Sequence, residues 1–170
     1  MEGSAKGSQI CDAIKLYFGW DCNKDRDKSF QIFNETIKKD IFIDQKETNI
    51  SIFFVALSYH YGHGTNKDIN KAVDYYNQAI QLENSKAMLN LAIIYQYGLE
   101  GTKKDSLKAI ELYTQASDLG NSVAMYNLAR IYENASLVGK DIPKAIQLYE
   151  KASIFGVETA KKKLEELTKK

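Results

Sequence analysis

Residues 85–120 read SKAMLNLAIIYQYGLEGTKKDSLKAIELYTQASDLG, and the spacing inside this stretch decides the fold. Ala87, Leu91 and Tyr95 stand at i, i+4 and i+8, which is one stripe of an α-helix. Gly98 and Gly101 follow and supply the permissive backbone on which a helix ends. Asp105 or Ser106 then offers a side-chain oxygen to the unpaired amides of a second helix. In that helix Ala109, Leu112, Tyr113 and Ala116 form the buried stripe, and Gly120 closes it. The alanines put little bulk at the seam, so the two helices can approach closely.

The same pattern returns on both sides. Tyr59, Tyr95 and Tyr132 are separated by 36 and then 37 residues, and Asp68, Asp105 and Asp141 keep step with them. Ala72, Ala109 and Ala145 recur likewise, as do Tyr76, Tyr113 and Tyr149. A period of this length carrying helical spacings means stacked helix-turn-helix units. The expected fold class is therefore all-α, a right-handed α-solenoid of stacked antiparallel helix pairs. The repeats are expected at 51–86, 87–123 and 124–159, with a capping helix at 160–170 that carries Ala160, Leu164 and Leu167. A degenerate copy, with Asp25, Phe33 and Ile37 matching Asp68, Tyr76 and Ile80, is expected within 10–47. Its preceding helix would hold Ile14 and Tyr17, and a long connector, roughly Asp40 to Glu47, follows it. The small polar residues 1–9 read as a flexible arm.

Composition excludes several classes. With 23 basic against 22 acidic residues the net charge is +1, which gives no electrostatic case for nucleic acid or a membrane surface. No stretch approaches the roughly 20 apolar residues that span a bilayer. The start, MEGSAKGSQICDAIKLYFGW, lacks a basic region leading into a long apolar run, so no secretory leader is expected. Cys11 and Cys22 could form one disulfide, but two thiols in a reducing compartment is the simpler account, and the cytoplasm is the expected location.

The motif Ala87-x-x-x-Leu91-Ala92-x-x-Tyr95-x-x-Gly98, then Asp105-x-x-Lys108-Ala109-x-x-x-Tyr113-x-x-Ala116-x-x-x-Gly120, resembles the Sel1-like repeats, relatives of the tetratricopeptide repeats with longer loops. The resemblance covers residues 51–160 well and 10–38 weakly. Ala92 and Ala129 stand where glycine is common, Glu83 replaces a closing glycine, and Ala135 replaces a turn glycine. The resemblance implies an adaptor that holds protein partners. Some cysteine-rich bacterial relatives bind β-lactams, but they carry a cysteine pair in each repeat, and this chain does not.

The two helices of a repeat differ on their second faces. In the second helices these positions are polar, with Asp74, Asn77 and Gln78, then Glu111, Thr114 and Gln115, then Gln147, Glu150 and Lys151, an outer solvated wall. In the first helices Leu89, Ile93 and Tyr97 form another i, i+4, i+8 row, turned about 200° from the buried one. Phe53, Leu57 and Tyr61 match it in the preceding repeat, and Tyr126, Arg130 and Asn134 in the following one. A helix apolar on two faces buries both or binds with one. Either these residues pack inside the stack, or they line an inner groove together with His60 and Gln96 that turns polar at Arg130 and Glu133. The second reading makes Phe53, Leu57, His60, Tyr61, Leu89, Ile93, Gln96, Tyr97, Tyr126, Arg130 and Glu133 the partner-binding residues. Their partner would be a helical or extended protein segment with apolar anchors. Because apolar residues occupy this face, the lysine-and-asparagine clamp with which tetratricopeptide modules hold a terminal carboxylate is not expected.

Catalytic chemistry finds no support. His60 and His63, the only histidines, lack a third metal ligand at suitable spacing, and nothing in the sequence argues that the fold brings either close to Cys11 or Cys22 as a nucleophile would need. GHGTNK, residues 62–67, lacks the strand and glycine pattern of a phosphate loop. No enzyme activity, cofactor or metal is expected. The alternatives to an adaptor are a structural homo-oligomer and a regulatory subunit of a larger enzyme assembly, such as a kinase or ubiquitin-pathway complex.

Overall fold

A computed structural model describes residues 3–20, 23–38, 44–134 and 139–169, with side chains from Gln9 onward, Glu100 apart. Cys22, much of the 40–47 connector and the Ala135 turn position lie outside the described residues. Among those residues there are nine α-helices, one 3-10 turn and no strand. They are α1 (Gly3–Phe18), α2 (Arg26–Lys38), α3 (Gln45–Tyr61), α4 (Ile69–Gln81), α5 (Ser85–Tyr97), α6 (Ser106–Asp118), α7 (Ser122–Asn134), α8 (Ile142–Ile154) and α9 (Glu158–Thr168). The class is the all-α solenoid of helix pairs that the periodicity predicts. One boundary differs: α1 begins at Gly3 and takes in most of the stretch read as an arm. No proline interrupts that stretch, and its polar side chains leave no apolar stripe by which a helix could be read.

The chain forms two compact units, Met1–Asn84 and Ser85–Lys170. In the first, α1 packs on α2, α2 on α3 and α3 on α4. Its core holds Ala13, Tyr17, Phe33, Phe54 and Tyr76, with the Phe33 and Phe54 rings stacked at 4.7 Å. Ser29 stands where the regular repeats carry alanine, and its buried hydroxyl is satisfied by donating to the Ala13 carbonyl at 2.9 Å. Gly64 must be glycine. Its φ is +74°, and a Cβ there would fall within contact distance of the Arg26 carbonyl. In the second unit α5 packs on α6, α6 on α7, α7 on α8 and α8 on α9, and Ala160 anchors the terminal helix.

One residue ties each helix pair together. The carboxylates of Asp25, Asp68, Asp105 and Asp141 accept from the backbone N–H groups of Lys28, Lys71, Lys108 and Lys144 at 2.9–3.0 Å, capping the second helix. The same aspartates donate their own N–H groups to the carbonyls of Leu16, Tyr59, Tyr95 and Tyr132, near the end of the first helix. The cap is thus Asp105 and not Ser106. In the three regular repeats the capped lysine returns over the first helix, its ammonium 5.2, 4.4 and 4.3 Å from the ring centres of Tyr59, Tyr95 and Tyr132. Between the helices lie the seam alanines, Ala72, Ala109 and Ala145, all fully buried.

Candidate functional site

Each regular repeat places a tyrosine hydroxyl from its second helix against a polar side chain of its first. Tyr76 Oη lies 3.0 Å from His60 Nδ1, Tyr113 donates to Gln96 Oε1 at 2.7 Å, and Tyr149 donates to Glu133 Oε2 at 2.6 Å. The rings are fully buried, so each hydroxyl needs this partner. Burial raises all three phenol pKa values above the ordinary 10, and at Tyr149 the Glu133 carboxylate raises it further. At Tyr113 a smaller push comes from Tyr97, opposed by Arg130 and by a hydrogen bond from Asn127.

These bonds sort the residues expected to bind a partner. In the first unit Phe53 and His60 are only 8% and 6% exposed. Phe53 meets the rings of Phe54 and Tyr76, and His60 is held by the Tyr76 hydroxyl. Leu57 is half-buried, and Tyr61 remains 52% exposed while stacking on His60 with ring centres 4.3 Å apart. His63 sits in the turn, as its sequence position predicts, bonded to the Tyr17 hydroxyl at 2.9 Å. Burial, Arg26 and Lys24 hold its pKa below the ordinary histidine value.

In the second unit the corresponding face is open. Leu89 and Ile93 are half-buried on α5, and Tyr97 at its end is 59% exposed. On α7 Tyr126 is half-buried, with the Arg130 guanidinium 5.9 Å from its ring centre. Glu133 is engaged twice, by Tyr149 and by Lys163 Nζ at 3.5 Å. A cavity of about 320 Å³ lies on this face, lined by Ile93, Gln96, Tyr97, Tyr113, Asn127, Arg130, Ile131 and Asn134. Ile93, Gln96, Tyr97 and Arg130 are thereby brought together; Leu89, Tyr126 and Glu133 stay outside the cavity. Tyr113, Asn127 and Ile131 were not expected to line it. Asn127 and Ile131 lie three residues before Arg130 and one after it, so the helical neighbours of Arg130 carried the signal for them. Tyr113 gave none, because its ring belongs to the buried stripe. The outer-wall positions from Asp74 to Lys151 named above are all exposed.

Among the described residues no group of three histidine, cysteine, aspartate or glutamate side chains could hold a metal. Among the described residues no helix is long and apolar enough to cross a membrane.

Comparisons with known proteins place this architecture. No curated protein matches the chain. Among solved structures it is similar to a Sel1 repeat protein from Oxalobacter formigenes, at 23% identity and a TM-score of 0.81, covering 96% of this chain and 65% of that one. A protective antigen of uropathogenic Escherichia coli strains that displays an SLR fold is similar at 25% identity and a TM-score of 0.78, over 94% of this chain and 32% of that one. The cysteine rich protein B of Helicobacter pylori follows at 24% identity and a TM-score of 0.59, over 77% of this chain and 93% of that one. The chain therefore spans less than two thirds of the first two. The Sel1 repeat model matches residues 50–84, 85–121 and 122–153, more than half of the sequence and in register with three of the four aspartate-capped pairs. On that match, the chain belongs to the Sel1 repeat family.

Proposed function

We propose that the chain is a non-catalytic protein-interaction module, and that the open face of residues 85–170 binds a segment of a partner protein. The family is generally a non-catalytic scaffold, which supports the first half of this reading. The observation that carries the second half is Tyr97: a large aromatic side chain, 59% exposed, at the rim of a concave surface whose floor is a packed tyrosine. Elsewhere on this face the apolar side chains are half-buried, so an incoming side chain gains most by packing against Tyr97 and Ile93. Aromatic anchors of this kind dominate interface affinity.

Peptides selected on the intact protein from a random displayed library provide the test. Tyr97→Ala is expected to weaken their binding by more than about 1 kcal/mol while leaving the far-ultraviolet circular dichroism unchanged. Gln78→Ala, on the outer wall of the first unit, is expected to leave affinity unaltered. Equal effects of the two substitutions would refute the reading.

A further inference from the structure

Among the described residues Arg130 is the one cation lining the cavity beside Ile93, Gln96 and Tyr97. Its guanidinium rests near the Tyr126 ring, and among the described residues no carboxylate pairs with it. The nearest candidate along the helix, Glu133, is already held by the Tyr149 hydroxyl and by Lys163. Of the two residues at which the groove was expected to turn polar, Arg130 and Glu133, Arg130 is therefore the one left to meet a ligand. The rest of the polar lining is neutral: the amides of Gln96, Asn127 and Asn134 and the tyrosines Tyr97 and Tyr113. Gln96 gives its oxygen to Tyr113, which leaves its N–H groups to other acceptors, and Asn134 is exposed. A guanidinium without a carboxylate, beside neutral amides and an exposed aromatic ring, is complementary to an anion attached to an apolar neighbour.

We propose that this cavity receives the side-chain carboxylate of an aspartate or glutamate within a partner segment, flanked by an apolar residue that packs on Tyr97 and Ile93. An internal side chain suits the site better than a chain terminus. The amides of Gln96, Asn127 and Asn134 come from two helices, and beyond the bonds that Gln96 and Asn127 make to Tyr113 they together offer both donors and acceptors. Such groups match the peptide bonds of a chain that continues past the carboxylate on both sides. A planar carboxylate accepts two parallel N–H bonds from arginine, a geometry that lysine cannot offer. This proposal rests on the open face being the binding face, and it adds the charge of the ligand.

The experiment selects dodecapeptides from a random library on the intact protein, with their C-termini blocked by the display scaffold, and then resynthesises the winners. The expected result is enrichment of an acidic residue beside an apolar one. Replacing that acid by its amide should cost about tenfold or more in affinity, whereas amidating a free C-terminus should change little. Arg130→Glu should abolish binding, and Arg130→Gln, which keeps neutral donors, should weaken it about as much as neutralising the peptide. Because Arg130 is exposed, both variants should retain the helical spectrum of the parent. Peptides that depend on Tyr97 but are indifferent to Arg130 and to their own acids would leave the binding face standing and overturn the carboxylate proposal. Sensitivity to the terminal carboxylate alone would also overturn it. A failure to enrich any peptide would remove both.

Discussion

Glu83 is the one residue other than glycine among the described residues with a positive φ, at 58°. Its equivalents in the next two repeats are Gly120 and Gly156, with φ of 81° and 85°. The turn that reverses the chain after a second helix therefore needs a left-handed residue, and the first repeat uses one whose Cβ disfavours that conformation by about 1–2 kcal/mol. Glycine would remove that strain but lose more entropy on folding. Glu83→Gly is thus expected to stabilise the protein by a net ~0.5–1 kcal/mol, read as a higher urea midpoint with an unchanged slope. A lower midpoint would mean that the glutamate side chain contributes something the turn geometry does not show. The sequence marks position 83 as a departure from the repeat. It does not tell whether the backbone adapts or the residue accepts the strain.

The helix pair is the element on which this protein is built, and the seam alanines set how closely its members approach. Ala109 is fully buried on α6, beside the stripe that carries Leu112, Tyr113 and Ala116. Ala109→Trp is expected to overpack that seam and cost about 1–3 kcal/mol or more, with a matching fall in melting temperature. An unchanged melting temperature would place the seam elsewhere. At this scale the sequence was highly legible. Period, caps and alanine stripes all arise from local spacing, and they set the helix order and narrowed the cap to Asp105 or Ser106, of which the structure uses Asp105. The second faces were less legible, because the same apolar row is buried on α3 at Phe53 and only half-buried on α5 at the matching Leu89. Whether a position is covered depends on what packs against it, and spacing along one helix carries no record of that. His60 illustrates the limit. Its place near a helix end suggests a rim, whereas the Tyr76 hydroxyl 3.0 Å away draws it inside.

Over the whole molecule, the buried tyrosines make folding sensitive to alkali. Tyr17, pushed up to about 12 chiefly by burial, and Tyr76, Tyr113 and Tyr149, raised chiefly by the same cause, are distributed over both units. A phenol whose folded pKa exceeds its unfolded value of about 10 contributes stability that is fully present below pH 10. That contribution is lost as the pH rises through the folded value, because the unfolded chain releases its protons first. Denaturant midpoints should therefore hold steady with respect to these groups from pH 7 to 9 and fall beyond about pH 10. Phenolate absorbance should show a late fraction of the 11 tyrosines appearing together with the loss of helical signal. Simultaneous titration of all of them near pH 10, with helices intact, would contradict this. The hydroxyl partners also bear on how such a chain can be rearranged. Each repeat closes with a different pair, histidine with tyrosine, glutamine with tyrosine, glutamate with tyrosine, and both halves lie within a single repeat. A genetic crossover between two repeats carries a complete pair to its new position, and one inside a repeat, where His60, Gln96 or Glu133 meets another repeat's tyrosine, restores a pair of the same kind. Unequal exchange should thus leave no buried hydroxyl unpartnered wherever it falls, making the constant tyrosine the feature that lets inheritance lengthen or shorten such a chain.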